Sequence, residues 1–237
     1  MTSKLNHHPS ERLLETFCEG LLSTGMSVAI SAHLELCDSC RQTADTMKAR
    51  LAAKWLASEP EPEYRSVPGD ASAMLDAITR QPQIVSLTVP RAGDDVGVEL
   101  HMHERSVKLP RVLAKVAENG VVWRKLAGGI NTANLKLDRE AQCDFMYMKP
   151  GSQAPRHTHG GMEVTLVLDG TFEDELGEYQ PGDFVLREGN QTHTPKSDEG
   201  CVCYSVLDSP LHFTSGLSRL LNPFQRLLFN RQLRQGA

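Results

Sequence analysis

Between Gly151 and Gly170 the chain reads GSQAPRHTHGGMEVTLVLDG, which sets two histidines and a glutamate between framing glycines as G-x5-H-x-H-x3-E-x6-G. Residues two apart on a strand project to the same face, so His157 and His159 present both imidazoles to one side. Glu163 follows at the head of an apolar run, and His193, in QPGDFVLREGNQTHTP, arrives from a separate strand. Three imidazoles and one carboxylate suit a divalent ion. Bringing them together from two strands requires a small closed β structure. The neighbouring runs VVWRKL, ANLKL, DFMYM, EVTLVL, GTFEDE, DFVLRE and CVCYSVL agree, being short, strand-like and separated by turn signals, as in a β-sandwich or barrel.

A second array lies near the start, in AHLELCDSCR, where His33, Cys37 and Cys40 form H-x3-C-x2-C. A histidine four positions before a cysteine sits one helical turn back on the same face, and thiols three apart close on one ion. A structural zinc site takes four ligands in a tetrahedron. The fourth donor is expected from HHPSE, where either His7 or His8 can reach back across a helical hairpin. The competing readings of Cys37 and Cys40 are small buried hydrophobes or a redox pair. The added histidine at helical spacing selects zinc over both.

From Ser10 to about Ala57 apolar residues recur at helical spacing: Leu13, Leu14, Phe17 and Leu21, then Val28, Ile30 and Leu34, then Met47, Leu51, Trp55 and Leu56. Gly20, Gly25 and Ser27 supply breaks and a cap. This predicts three helices over residues 1–57, with the zinc array at the junction of the second and third. So small a unit draws much of its stability from a metal that pins its helices. ASEPEPEYRSVPGDAS then opens a linker and weakly patterned region over 58–100, with a short helix near Ala71 to Thr79 and an extended IVSLTV segment. Residues 101–237 form the β domain. SRLLNPFQRLLFNRQLRQGA, with four arginines and no acid, predicts a closing helix docked on the domain or on a second copy.

Charge and composition narrow the function. With 25 Lys and Arg against 30 Asp and Glu, the net charge is −5, which disfavours direct nucleic-acid binding and accommodates a protein partner. No apolar run approaches the ~18 residues of a membrane helix, and MTSKLNHHPSERLLE lacks the apolar centre of a signal peptide. A cytoplasmic location is expected, where the six cysteines stay reduced. The His101 and His103 pair lacks further donors and reads as solvent-facing. Cys201 and Cys203 share a strand face and read either as packed residues or as an oxidant-sensing pair.

The Gly151–Gly170 spacing is that of the first cupin motif. The second motif is matched in part, through Gly182 and His193, while Glu188, Asn190 and Ser197 stand where the family has Pro, Gly and Asn. A helical H-x3-C-x2-C module, a linker and one cupin, in that order, resemble the ChrR-type anti-sigma factors of bacteria over nearly the whole chain. The resemblance implies an α+β protein, an N-terminal zinc-bound helical bundle followed by a single jelly-roll cupin β-barrel. It favours His8 over His7 as partner of His33, Cys37 and Cys40, and it gives the second metal to His157, His159, Glu163 and His193. Two zinc ions are expected, although three histidines and a glutamate suit iron, manganese or nickel as well. The implied function is a cytoplasmic regulator that sequesters an extracytoplasmic-function sigma factor through its N-terminal domain. Release on singlet oxygen or organic peroxide then requires the cupin. The rival class is a metal-dependent cupin dioxygenase or isomerase acting on a small molecule. The helical module has no purpose in such an enzyme, and the sequence shows no catalytic nucleophile.

Overall fold

The computed structural model of the protein describes residues 5–58, 69–81, 99–102, 105–118, 120–189 and 191–233. Three helices open the chain: α1 (Glu11–Cys18), α2 (Thr24–Leu36) and α3 (Asp38–Ala57). Ser10 caps α1, its hydroxyl accepting the Leu13 N–H at 3.3 Å. Ser23 caps α2 in the same way through Met26, satisfying N–H groups that a helix start leaves orphaned. Gly25 and Ser27, read from the sequence as a break and a cap, therefore lie inside α2. Cys37 ends α2 with an extended backbone, φ −126° and ψ 103°, and α3 starts at the next residue. The array thus sits at the expected junction.

Helix α4 (Gly69–Thr79) matches the short helix expected near Ala71 to Thr79. The IVSLTV segment lies outside the described residues. Strands β1 (Glu99–Met102) and β2 (Arg105–Lys108) form a hairpin, and α5 (Arg111–Ala117) follows. The barrel is then built from β3 (Arg124–Lys125), β4 (Ile130–Asn134), β5 (Gln142–Met148), β6 (Ser152–Gln153), β7 (His157–His159), β8 (Glu163–Gly170), β9 (Phe172–Asp174), β10 (Gly177–Tyr179), β11 (Phe184–Arg187), β12 (Lys196–Ser197), β13 (Cys201–Leu207) and β14 (Leu211–Phe213). Helix α6 (Asn222–Leu233) closes the chain, as expected of the arginine-rich segment. It packs on β14 and β5.

Sheet order explains the burial. A six-stranded sheet runs β11-β8-β13-β5-β4-β3, a four-stranded sheet runs β10-β9-β12-β6, and β14 pairs with β7. Every residue of β13 is buried, so the strand has no wet face. One side, Val202, Tyr204 and Val206, joins a core with Leu14, Met26, Ala29, Ile30 and Leu34 of the helices. The other side, Cys201 and Cys203, joins Ile130, Val167, Phe172 and Tyr179 inside the barrel. Helix α2 is apolar nearly all round because it is covered on more than one side.

The structure divides into two compact units, Met1–Met47 with Gly97–Ala237, and Lys48–Val96. The helices and the barrel read from the sequence as successive domains. In the structure α1 and α2 share a unit with the barrel, since α2 contacts β8, β13 and α5. Polar contacts reinforce that packing: Glu35 accepts from the Arg111 and Val112 N–H groups at the start of α5, at 2.7 and 3.3 Å. Among the described residues no helix is long and apolar enough to cross a membrane.

Candidate metal centres

The helical cluster comprises His8, His33, Cys37 and Cys40, whose donor atoms all lie within 4.8 Å of one another. Helix α2 supplies His33, its C-terminal end Cys37, and the first turn of α3 Cys40. His8 comes from the segment before α1. Its Nδ1 lies 3.5 Å from Cys37 Sγ and 3.4 Å from Cys40 Sγ. The tautomers follow from the acceptors. Leu5 O is 3.2 Å from His8 Nε2 and Gly182 O is 2.8 Å from His33 Nδ1; a carbonyl only accepts, so these nitrogens carry the protons. The lone pairs of His8 Nδ1 and His33 Nε2 are left facing the thiols. His33 Nε2 is buried with no hydrogen-bond partner, and burial lowers the His33 pKa to about 4. The ring is therefore neutral at pH 7, as a metal ligand must be.

The thiols are an unequal pair. Burial, together with the adjacent Cys37, pushes Cys40 up to about 12. For Cys37 burial acts in the same upward direction but is outweighed by hydrogen bonds, first that of Ser39, so its pKa falls below the usual value. Two adjacent buried thiolates repel unless a cation lies between them. Two imidazole lone pairs and two sulfurs converging in one place fit a tetrahedral N2S2 zinc.

His7 is not in this cluster. Its Nδ1 lies 3.3 Å from Asp183 Oδ2 and its ring is 4.8 Å, centroid to centroid, from Tyr179. Of the two adjacent histidines, His8 is the one brought to the cysteines.

The barrel cluster comprises His157, His159, Glu163 and His193, all buried, with donor atoms again within 4.8 Å. Strand β7 carries both histidines of the H-x-H pair inward at 5% and 1% exposure. His193 is bound to β7 through reciprocal backbone hydrogen bonds with His157, at 3.1 and 3.0 Å. Glu163 Oε2 lies 2.9 Å from His159 Nε2 and 3.4 Å from His193 Nε2, and these two nitrogens are 3.1 Å apart. His157 Nδ1 donates to Pro155 O at 2.7 Å, and His193 Nδ1 donates to Asp174 Oδ2 at 3.1 Å. Their Nε2 lone pairs therefore point into the cluster, beside a buried carboxylate. Burial lowers His157 to about 4. Burial acts upward on Glu163, but the hydrogen bond from His159 and the surrounding imidazoles hold it at about 2. An ionised carboxylate converging with imidazole nitrogens fits a divalent cation.

Sequence reasoning missed the groups behind these ligands. Asp174 accepts from His193, from Arg187 at 2.7 Å and, through Oδ1, from Tyr179 at 3.1 Å. Arg187 also bonds the Tyr179 hydroxyl. Burial works against its charge, but these bonds hold the Asp174 carboxyl well below the usual range. Such partners fix ring orientation and ligand basicity. No spacing rule links Asp174 to His193, since the connection exists only across the barrel. His101 is exposed on β1, its Nδ1 3.2 Å from Ser106 Oγ, and His103 lies outside the described residues. Cys201 and Cys203 are both fully buried, so they lack the exposure that the oxidant-sensing reading needs.

Residues 113–210 match the family model of the ChrR cupin-like domain. The chain is 33% identical over 231 residues to the anti-sigma-E factor ChrR of Cereibacter sphaeroides, covering 94% of this chain and 99% of that protein. The chain belongs to the ChrR family of anti-sigma factors. The fold agrees: the structure is similar, with a TM-score of 0.67 and 28% identity, to a chain in the crystal structure of Rhodobacter sphaeroides SigE in complex with the anti-sigma ChrR. That match covers 86% of this chain and 99% of the other. The α+β architecture of N-terminal helices followed by a cupin barrel is that of the ChrR family.

Proposed function

We propose that the protein is a cytoplasmic anti-sigma factor that sequesters an extracytoplasmic-function sigma factor and releases it under oxidative stress, singlet oxygen or organic peroxide being the inducers. The observation that carries this reading is the convergence of His8, His33, Cys37 and Cys40 at the α2–α3 junction, in a chain of which 94% matches an anti-sigma factor. A zinc ion there would supply two positive charges that make both thiolates stable together and tie the segment before α1 to two helices. His8 and His33 would hold the ion through Nδ1 and Nε2, the carbonyls of Leu5 and Gly182 keeping protons on the far nitrogens.

Surface for a protein partner is available on the helices. Trp55 and Leu56 on α3 are each 76% exposed, and Met74, Leu75 and Ile78 on α4 are all exposed. Exposed apolar side chains that gather into a patch mark interaction sites, and tryptophan is among the residue types enriched at interface hot spots.

The barrel is the proposed sensor. A cleft of about 520 Å³ lies beside its ligands, lined by Thr158, His159, Leu211, His212, Asn222 and Phe229 among others, and admits a small molecule. The second metal, in this reading zinc, would be held by His157, His159, Glu163 and His193 and would present a Lewis acid to that cleft. No enzymatic turnover is assigned to it, and neither nucleic acid nor membrane is a direct partner. The deciding experiment is purification with candidate sigma factors followed by transcription with RNA polymerase. Inhibition that is specific to one sigma factor and relieved by oxidant is expected. A folded, metal-loaded protein that binds none of them rules this function out.

A further inference from the structure

Asp183 closes the QPGD turn between β10 and β11 and is fully buried. Its carboxylate reaches across to the segment before α1: Oδ1 accepts the N–H groups of Asn6 and His7, each at 3.1 Å. Oδ2 accepts the Gln180 N–H at 3.0 Å and lies 3.3 Å from His7 Nδ1. Two further bonds join the same places. Phe184 N–H donates to His7 O at 3.0 Å, and Gly182 O receives His33 Nδ1–H at 2.8 Å. The contact is close, since a Cβ on Gly182, whose φ is +95°, would lie 2.8 Å from Leu5 Cδ2.

Residues 5–10 have no helix or strand backbone, so no local structure decides where His8 points. A buried carboxylate costs several kcal/mol unless it is fully hydrogen-bonded, and Asp183 spends two of its bonds on the two residues just before His8. It belongs to neither ligand set. We propose that Asp183 is a positioning residue for the helical metal centre: it clamps the Asn6–His7 backbone and thereby aims His8 at Cys37 and Cys40, so the barrel completes a site whose ligands all come from the helical segment. This rests on the reading of those four residues as a metal site. Outer partners of this kind change metal affinity by about 10- to 100-fold.

Cobalt(II) titration of the full-length protein tests it. The barrel ligands include no sulfur, so thiolate-to-cobalt absorption reports the helical centre alone. Asp183→Leu keeps nearly the same shape but removes both acceptor oxygens, so the Asn6 and His7 N–H groups lose their clamp. It should weaken the sulfur-bound cobalt by about 10- to 100-fold against a competing chelator. The band shape at saturation and the barrel's cobalt affinity should stay as in the wild type. Wild-type affinity in the variant overturns the proposal. Thiolate absorption that survives Cys37→Ser with Cys40→Ser, or never appears in the wild type, instead removes the metal reading beneath it. Amide exchange in the metal-free wild type gives a second measurement that needs no variant. Slow exchange at Asn6 and His7 is expected if Asp183 sets the segment in advance, whereas fast exchange there means that the metal organises it and Asp183 does not.

Discussion

The Tyr204 hydroxyl, on the central strand β13, donates to the Gly25 carbonyl in the first turn of α2 at 3.1 Å. A Cβ on Gly25 would lie 2.4 Å from Cys143 Sγ and 3.3 Å from Val206 Cγ1. The glycine is therefore a point of close approach between helix and barrel, and its cost in helix propensity is offset by that packing.

Gly25→Ala tests which effect wins. Alanine gains about 1 kcal/mol of helix propensity, while forcing a methyl against a buried side chain costs about 1–3 kcal/mol. A net loss of stability is expected in urea unfolding. Adding Cys143→Ala should recover most of it, because the clash is with that sulfur; a double variant no more stable than Gly25→Ala would place the strain elsewhere.

Asp138 makes stability pH-dependent at the same place. Its Oδ2 accepts the Gly25 N–H at 3.0 Å, and its Oδ1 accepts the Glu140 N–H at 2.9 Å. Partial burial acts upward on its pKa, but these bonds, with that of Ser23, outweigh it and lower the value. A lowered folded-state pKa means that the unfolded state binds the proton more readily, so the stabilisation is complete above the unfolded value of about 4. It is lost as pH falls through the folded value. Asp138→Asn should cost about 1 kcal/mol at pH 7. That difference from wild type should shrink steadily below pH 4; a difference independent of pH would mean that the carboxylate charge contributes nothing.

Removing the helical metal should loosen the junction of α2 and α3, while the Asn6–His7 backbone stays clamped by Asp183. Cys37→Ser with Cys40→Ser should release about one zinc per chain and reduce sigma-factor binding, since site formation and local order are coupled. Zinc content measured alongside a pull-down would show it. A double variant that still holds two ions places the metal on other residues.

The barrel ligands should separate response from inhibition. His157→Ala with His159→Ala should empty the second site and abolish induction by singlet oxygen or peroxide in a transcription reporter, while repression persists. A ligand or oxidant shifts the complex only by acting differently on bound and free states, and in this reading the barrel supplies that difference. Oxygen uptake driven by a small diketone, flavonol or thiol and lost in the same variant would instead make the barrel an enzyme.

Most of each candidate cluster was legible in the amino-acid sequence from local periodicity, while His8 was favoured only by the family resemblance. H-x3-C-x2-C presents one face of a helix end, and H-x-H presents one face of a strand. The structure brings together His8, His33, Cys37 and Cys40, and separately His157, His159, Glu163 and His193. Helix count, the short α4 and the strand runs follow from the same periodicities of 3.6 and 2 residues.

What only the tertiary structure decided concerns groups that meet across the chain. Residue spacing leaves His7 and His8 equivalent, and only the family resemblance favours His8; in the structure the Asp183 carboxylate, 176 residues away from His7, bonds His7. Asp174 behind His193 and Gly182 behind His33 carry no signature, because a carbonyl or carboxylate becomes a ligand's partner only through distance and direction. The all-buried strand β13 belongs to the same class. Its side chains alternate as in any strand, but a helix layer on one face and the barrel interior on the other make both faces dry, and which surface covers a strand is a property of packing that local sequence does not encode.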